Sequence, residues 1–157
     1  LLSLSMSAQT TWDEVMGKLN KASIAYLTSF IQKDWDTYMN LTYPNIITMA
    51  GGKEILQKIA EENISMYRSL GFEMQSVKIG EDIRSVDSPE GIQALIPAAV
   101  VMKNGAEQVE IPIKLFAVSG NLSETWKFVD LSQYDAKSIK QFIPGFDKDL
   151  LVAWTSN

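Results

Sequence analysis

IQALIPAAVVMKNGAEQVEIPIKLFAVS, residues 92–119, decides the fold. Asn104-Gly105 is a tight-turn signal between two long runs of strand-forming residues, and it predicts a hairpin. One arm spans Ile92 to Lys103 and the other Glu107 to Ser119. Within the first arm, Ile92, Ala94, Ile96, Ala98, Val100 and Met102 alternate with Gln93, Leu95, Pro97, Ala99 and Val101. Both sets are largely apolar, which predicts a strand covered on both faces. Pro97 and Pro112 each remove a ladder donor, so they predict bulges that bend the sheet.

Before the hairpin the period is helical. Trp12, Val15, Met16, Leu19, Ala22, Tyr26, Leu27 and Phe30 mark a long helix over Thr11–Lys33, with Thr10 or Thr11 as its cap. Asp34-Trp35-Asp36 interrupts it. Asp34-x-Asp36 could present a carboxylate pair to a hard cation, but no third ligand stands at suitable spacing, and capping of a short helix over 37–41 is the simpler reading. Pro44 forces Tyr43 to be extended. Ile46 to Met49 reads as a short strand, ended by Gly51-Gly52, and a third helix follows over Lys53–Leu70 with Leu56, Ile59, Ala60, Tyr67 and Leu70 inward. Gly71 stands where a helix stop needs glycine.

Gly51-Gly52-Lys53 has the look of a phosphate loop, but the count fails. Such a loop needs GxxxxGK[ST]; here Ile47 occupies the first glycine position and Glu54 the hydroxyl position. The glycines read as a turn.

Phe72 to Ile79 predicts a strand, which Asp82 to Val86 continues beyond Gly80. Ser88-Pro89-Glu90-Gly91 is a turn. Beyond the hairpin, ETWKFVDL (124–131) is a closing strand, followed by helical residues from Asp135 that Pro144-Gly145 interrupts. Helices first and an antiparallel meander afterwards define an α+β class. The 157 residues suit one domain, expected over 9–157.

Composition narrows the chemistry. The chain is 46% apolar and 21% charged with a net charge of −5, which offers no basic footprint for nucleic acid. It has no cysteine and no histidine. Thiol nucleophiles, thiolate metal sites, Ser-His-Asp hydrolysis and HExxH chemistry are thereby excluded. Any acid–base work falls to Asp, Glu, Lys or Tyr. No metal site and no cofactor are expected, and no stretch has the length of a membrane span. The opening LLSLSMSAQ reads as the end of a secretory signal, with residues 1–8 a remnant, and predicts a periplasmic or secreted protein.

The helical segment ending in KDWDTYMNLTYPNI, the helix GGKEILQKIAEEN and the closing strand TWKFVD together resemble the NTF2-like (SnoaL-like, cystatin-like cone) superfamily over about residues 10–132. Tyr43-Pro44 stands where many members have a His-Pro-type step. The resemblance implies a strongly curved, mainly antiparallel sheet wrapped round a helix. It also implies an apolar pocket at the cone's open end, and homodimerisation through the sheet's outer face. Members include isomerases, dehydratases, hydrolases and non-catalytic binding modules, so the fold leaves function open.

Asp130 is the leading candidate. It alternates with Trp126 and Phe128, so the three share one face of the closing strand. A carboxyl beside aromatics has a raised pKa, as a general acid or base requires; the plainer reading is a solvated strand end. Ketosteroid isomerases, which share the superfamily fold, work with Asp and Tyr, but their motif does not map onto this chain residue by residue. Tyr26, Tyr43, Trp35 and Trp126 are large enough to line a pocket mouth, though such rings also build cores. The expected ligand set is Trp35, Tyr43, Trp126, Phe128 and Asp130, with Asp130, Tyr43 and Tyr26 as candidate catalytic groups. Three functions fit: a module binding a small apolar or amphipathic ligand, a pocket enzyme using Asp and Tyr, or a dimerisation protein with a filled cone.

Overall fold

The computed structural model describes residues 2–89, 91–120 and 125–156, with side chains described from Trp12 onward. The helix α1 runs Leu2–Gln32, so its backbone passes through Thr10 and Thr11 and neither begins it. The signal-remnant reading of residues 1–8 concerns side chains outside the described ones.

The turn that ends α1 is built by the backbone. Lys33 takes φ 59°, and Lys33 N–H and Asp34 N–H bond the carbonyls of Phe30 and Ser29 at 3.2 and 2.8 Å. Asp34 then caps α2 (Trp35–Leu41), accepting from Thr37 N at 3.3 Å and Thr37 Oγ1 at 2.7 Å. The Asp34-x-Asp36 pair is thus a cap.

Ile46 to Met49 is helical, against the strand expected there. It lies in α3, Pro44–Ala50. Pro44 sits in the first turn, where its missing donor costs nothing, and Gly51 at φ 105° supplies the left-handed stop. Four apolar residues alone cannot separate strand from helix. The extended segment is confined to Thr42–Tyr43, where Tyr43 N–H reaches Phe128 O at 2.9 Å. After Gly52, α4 runs Lys53–Ser69 and buries Leu56, Ala60 and Ile64. Ile59 and Leu70, expected inside, are exposed. Gly71, at φ 87°, ends it.

Five strands form one antiparallel sheet: β1 Glu73–Ile79, β2 Arg84–Ser88, β3 Gly91–Asn104, β4 Glu107–Ser119 and β5 Trp126–Asp130. The order is β1-β3-β4-β5, with β2 also on β3. Strands β1 and β2 share one edge: β1 pairs with Ala98–Lys103 and β2 with Gly91–Leu95. They are two halves of a broken edge strand. The hairpin turns on Gly105-Ala106, since Asn104 pairs with Glu107; Gly105 alone takes positive φ, at 61°.

The bulges expected at Pro97 and Pro112 are absent from the β3–β4 register, which runs unbroken from Ile92↔Ser119 to Asn104↔Glu107. Pro97 O accepts from Gly80 N at 2.7 Å, so its backbone groups face the break between β1 and β2, where no strand needs its donor. By the alternation of an antiparallel ladder, Pro112 opposite Ala99 then points its nitrogen away from β3. That side is free of β5, whose pairing covers only Leu115–Ser119. Both prolines therefore fit a regular ladder. Consistent with this, the sheet is not strongly curled, which corrects the cone curvature implied by resemblance. The described irregularity lies in β1, between Met74 and Ser76.

The two faces are covered by different helices. Under α1, Val15, Leu19, Tyr26 and Leu27 pack on Ala94, Ile96, Ala98, Leu115, Ala117, Trp126 and Phe128. On the opposite face, a 3₁₀ turn (Leu131–Gln133) leads to α5 (Ala136–Phe142) and α6 (Lys148–Thr155). Ile139 of α5, Leu150 of α6, and Ile143 and Phe146 between them cover Leu95, Phe116 and Val129. The double apolarity of β3 thus has an intramolecular cause over this half. Buried Gln93 fastens the α5–α6 joint, donating to Gly145 O at 2.5 Å and accepting from Asp147 N at 2.8 Å. No described helix is long and apolar enough to cross a membrane.

Candidate functional site

On the α1 face, packing is incomplete beyond Phe128. Strands β3 and β4 extend past the end of β5, and α4 lies across from them instead of against them. The space left is a cavity of about 280 Å³, at the lower end of small-molecule sites.

Its walls are apolar for a sequence-level reason. Val100 and Met102 of β3 and Ile111 and Ile113 of β4 carry the same period-two set that builds the core under α1. Leu56 and Ala60 of α4 and Met74 of β1 complete the walls. Ile59 and Met66 also line the space yet are 43% and 51% exposed, which places the mouth along α4. Asn63 lies between them.

Apart from Asn63 and Tyr67 on α4, the polar groups of the lining are Asp130, Ser132, Gln133, Tyr134, Tyr26 and Tyr38. Tyr26 is buried, its ring stacked between Phe128 at 5.2 Å and Tyr38 at 5.1 Å. Its hydroxyl lies near enough to that of Tyr38 for each to influence the other's proton. Burial first, then the neighbouring Tyr38 and Asp130, push the Tyr26 pKa well up, so the phenol stays neutral. Burial likewise raises Tyr38 and Tyr134, and the Asp130 charge adds to both shifts.

Asp130 ends β5 and caps the 3₁₀ turn. Its Oδ1 accepts from Ser132 N at 3.0 Å and from Ser132 Oγ. Loss of hydration raises its pKa above the ordinary 3.8, and the two Ser132 bonds offset part of that rise. Its other oxygen takes no hydrogen bond from any described residue. The carboxyl is therefore both a cap and a half-free acceptor at the cavity end.

Of the candidates named from sequence, Asp130 and Tyr26 line this space. Trp35, Tyr43, Trp126 and Phe128 are not among its described lining residues. Phe128 is fully buried behind Tyr26, and Trp126 lies deeper under α1 with its Nε1 unpartnered. Trp35 packs edge-on against Phe30 and Tyr38. Tyr43 packs with the opposite cluster, beside Ile46 and Ile139. Sequence reasoning missed Tyr38 and Tyr134. Tyr38 stands four residues after the Asp34 cap and faces α1; the angle between α1 and α2 that brings it to Tyr26 has no sequence signature.

Among the described residues no group of three or more acidic side chains could hold a metal ion. What the fold and site define is an α+β protein carrying a mostly apolar pocket with one acidic, tyrosine-rich end. No family model matches the chain, and no curated protein matches it.

Proposed function

We propose that this chain is an exported NTF2-like module whose pocket binds a small, largely apolar molecule bearing one polar group. The observation that carries this is the uneven lining: mostly apolar walls from β3, β4 and α4, interrupted on α4 by Asn63 and Tyr67, with the remaining polar side chains around Asp130. That arrangement orients a ligand while burying its apolar body. The helix order and the closing strand TWKFVD support the NTF2-like assignment, and the opening LLSLSMSAQ supports export. A homodimer belongs to the same proposal. It uses the strip of Pro97, Ala99 and Lys114 on the outer face, cross-strand neighbours apart from the clusters that α5 and α6 cover.

The binding test is uptake of an environment-sensitive apolar dye. Saturable one-to-one uptake is expected, and Asn63→Trp, which adds bulk between Ile59 and Met66 at the mouth, weakens it at least tenfold. Uptake that is unsaturable, or unchanged in Asn63→Trp, counts against the pocket.

A second reading is acid–base catalysis by the isomerase, dehydratase or hydrolase members of that superfamily. It is favoured by one observation: the raised carboxyl of Asp130 beside neutral Tyr26 and Tyr38. Under it, Asp130→Asn lowers turnover by a hundredfold or more at unchanged ligand affinity. Lost affinity with no turnover to lose assigns Asp130 to binding alone.

A further inference from the structure

We propose that the ligand of this pocket is a small organic cation, an amine or quaternary ammonium on an apolar body, seated between the Asp130 carboxylate and the surrounding tyrosine rings. The inference rests on the pocket-binding reading above and assigns the chemistry of its ligand.

Three observations carry it. Four of the five tyrosines, Tyr26, Tyr38, Tyr67 and Tyr134, line this one cavity, together with Phe30. Aromatic ring faces attract cations within about 6 Å of their centroids, as in the aromatic cages that hold quaternary ammonium groups. Tyr26, stacked on both faces by Phe128 and Tyr38, offers only its edge and hydroxyl, which leaves the ring-face role to Tyr38, Tyr67 and Tyr134. Second, Asp130 is the one charged residue among the described lining residues, and no lysine or arginine joins it there. The nearest basic residue along β5, Lys127, turns instead to the Asn40 carbonyl. Third, Ser132 occupies Oδ1 of Asp130, leaving the second oxygen without a bond from any described side chain. The Asp130 carboxyl is only partly buried, and its partial dehydration at the cavity end still disfavours an unpaired charge. Here the protein supplies hydrogen bonds to one oxygen and no counter-charge. A bound cation provides it.

An anion is disfavoured by the same lining, because it would meet Asp130 with nothing positive beside it. A neutral ligand fits the walls but leaves the carboxylate unpaired. The groups facing Asp130 across the cavity are Tyr26 from α1, Tyr38 from α2 and Tyr134 beyond the 3₁₀ turn, all with raised pKa values. Asp130, the one carboxyl among them and raised from the ordinary carboxyl value by loss of hydration, is the group whose protonation sets the charge of the site. Cation affinity falls as acid protonates it.

The test uses benzyltrimethylammonium and its uncharged isostere neopentylbenzene, titrated calorimetrically into the full chain, wild type and Asp130→Asn. The isosteric variant keeps an acceptor for Ser132 N, so the turn is preserved. Expected is at least a tenfold preference for the cation in wild type, lost in Asp130→Asn and weakened at acid pH. A neutral isostere that binds as well as the cation overturns the inference while leaving the pocket reading intact. So does a preference that survives Asp130→Asn. Failure of both probes to bind wild type overturns the inference and counts against the pocket reading as well.

Discussion

Asp130 caps a turn and faces a cavity, and its two roles act oppositely on its proton. Dehydration favours the neutral acid, whereas the Ser132 bonds favour the carboxylate; dehydration dominates, so the folded pKa lies above the unfolded one. A group shifted upward contributes stability fully below its unfolded pKa, and loses that contribution as the pH rises through the folded value. Once ionised, Asp130 therefore opposes folding. Asp130→Asn keeps the cap and removes the charge. Its thermal midpoint is expected to exceed wild type at pH 8, with the gap closing toward the ordinary carboxyl value of 3.8. A gap independent of pH contradicts this account. Phe128 behaves differently: fully buried against Tyr26, it is core, and Phe128→Ala is expected to cost about 3–5 kcal/mol in denaturant unfolding. A loss under about 1 kcal/mol would show the ring is not packed as described. Period two alone placed Trp126, Phe128 and Asp130 on one face, and this was legible. How far along that face the core stops and the cavity begins was not, because it depends on where α4 crosses the sheet.

Among the elements, the hairpin was the clearest in sequence, and Ile46–Met49 the least clear. A fourteen-residue β3 declares its alternation over many positions, whereas a four-residue apolar run declares nothing. There Pro44 and Gly51 held the information, as a helix start and stop, and were outweighed by β-branched residues. Curvature was misread for a related reason. A proline within a strand argues for a bulge only if its nitrogen faces a partner strand, and sequence cannot tell which edge it faces. The helix ends give a direct test. Lys33 holds a left-handed conformation that glycine adopts freely, so Lys33→Gly should stabilise the α1–α2 corner by roughly 0.5–1 kcal/mol. A destabilised variant would mean that Lys33 does more than turn the chain. On the other face, Gln93→Leu strands the Gly145 carbonyl and Asp147 amide. It should cost about 2–4 kcal/mol, with hydrogen exchange quickening first in α5 and α6.

At the scale of the molecule, two helical layers divide the work. The C-terminal helices, with Met39 of α2 and Leu56 of α4, complete a core on one face, and a space lined by residues of α1, α2 and α4 is left beside the other. The dimer proposed above uses the strip around Ala99 and Lys114. If that strip pairs two copies, light scattering should report a dimer that Lys114→Glu dissociates, and a monomeric wild type removes this part of the proposal. The pocket reading is tested separately from that outcome. Native mass spectrometry of the protein isolated gently from its own host addresses the pocket most directly. The account predicts one small molecule per chain, released on activation and missing from Asn63→Trp; wild type recovered at the bare polypeptide mass would contradict it.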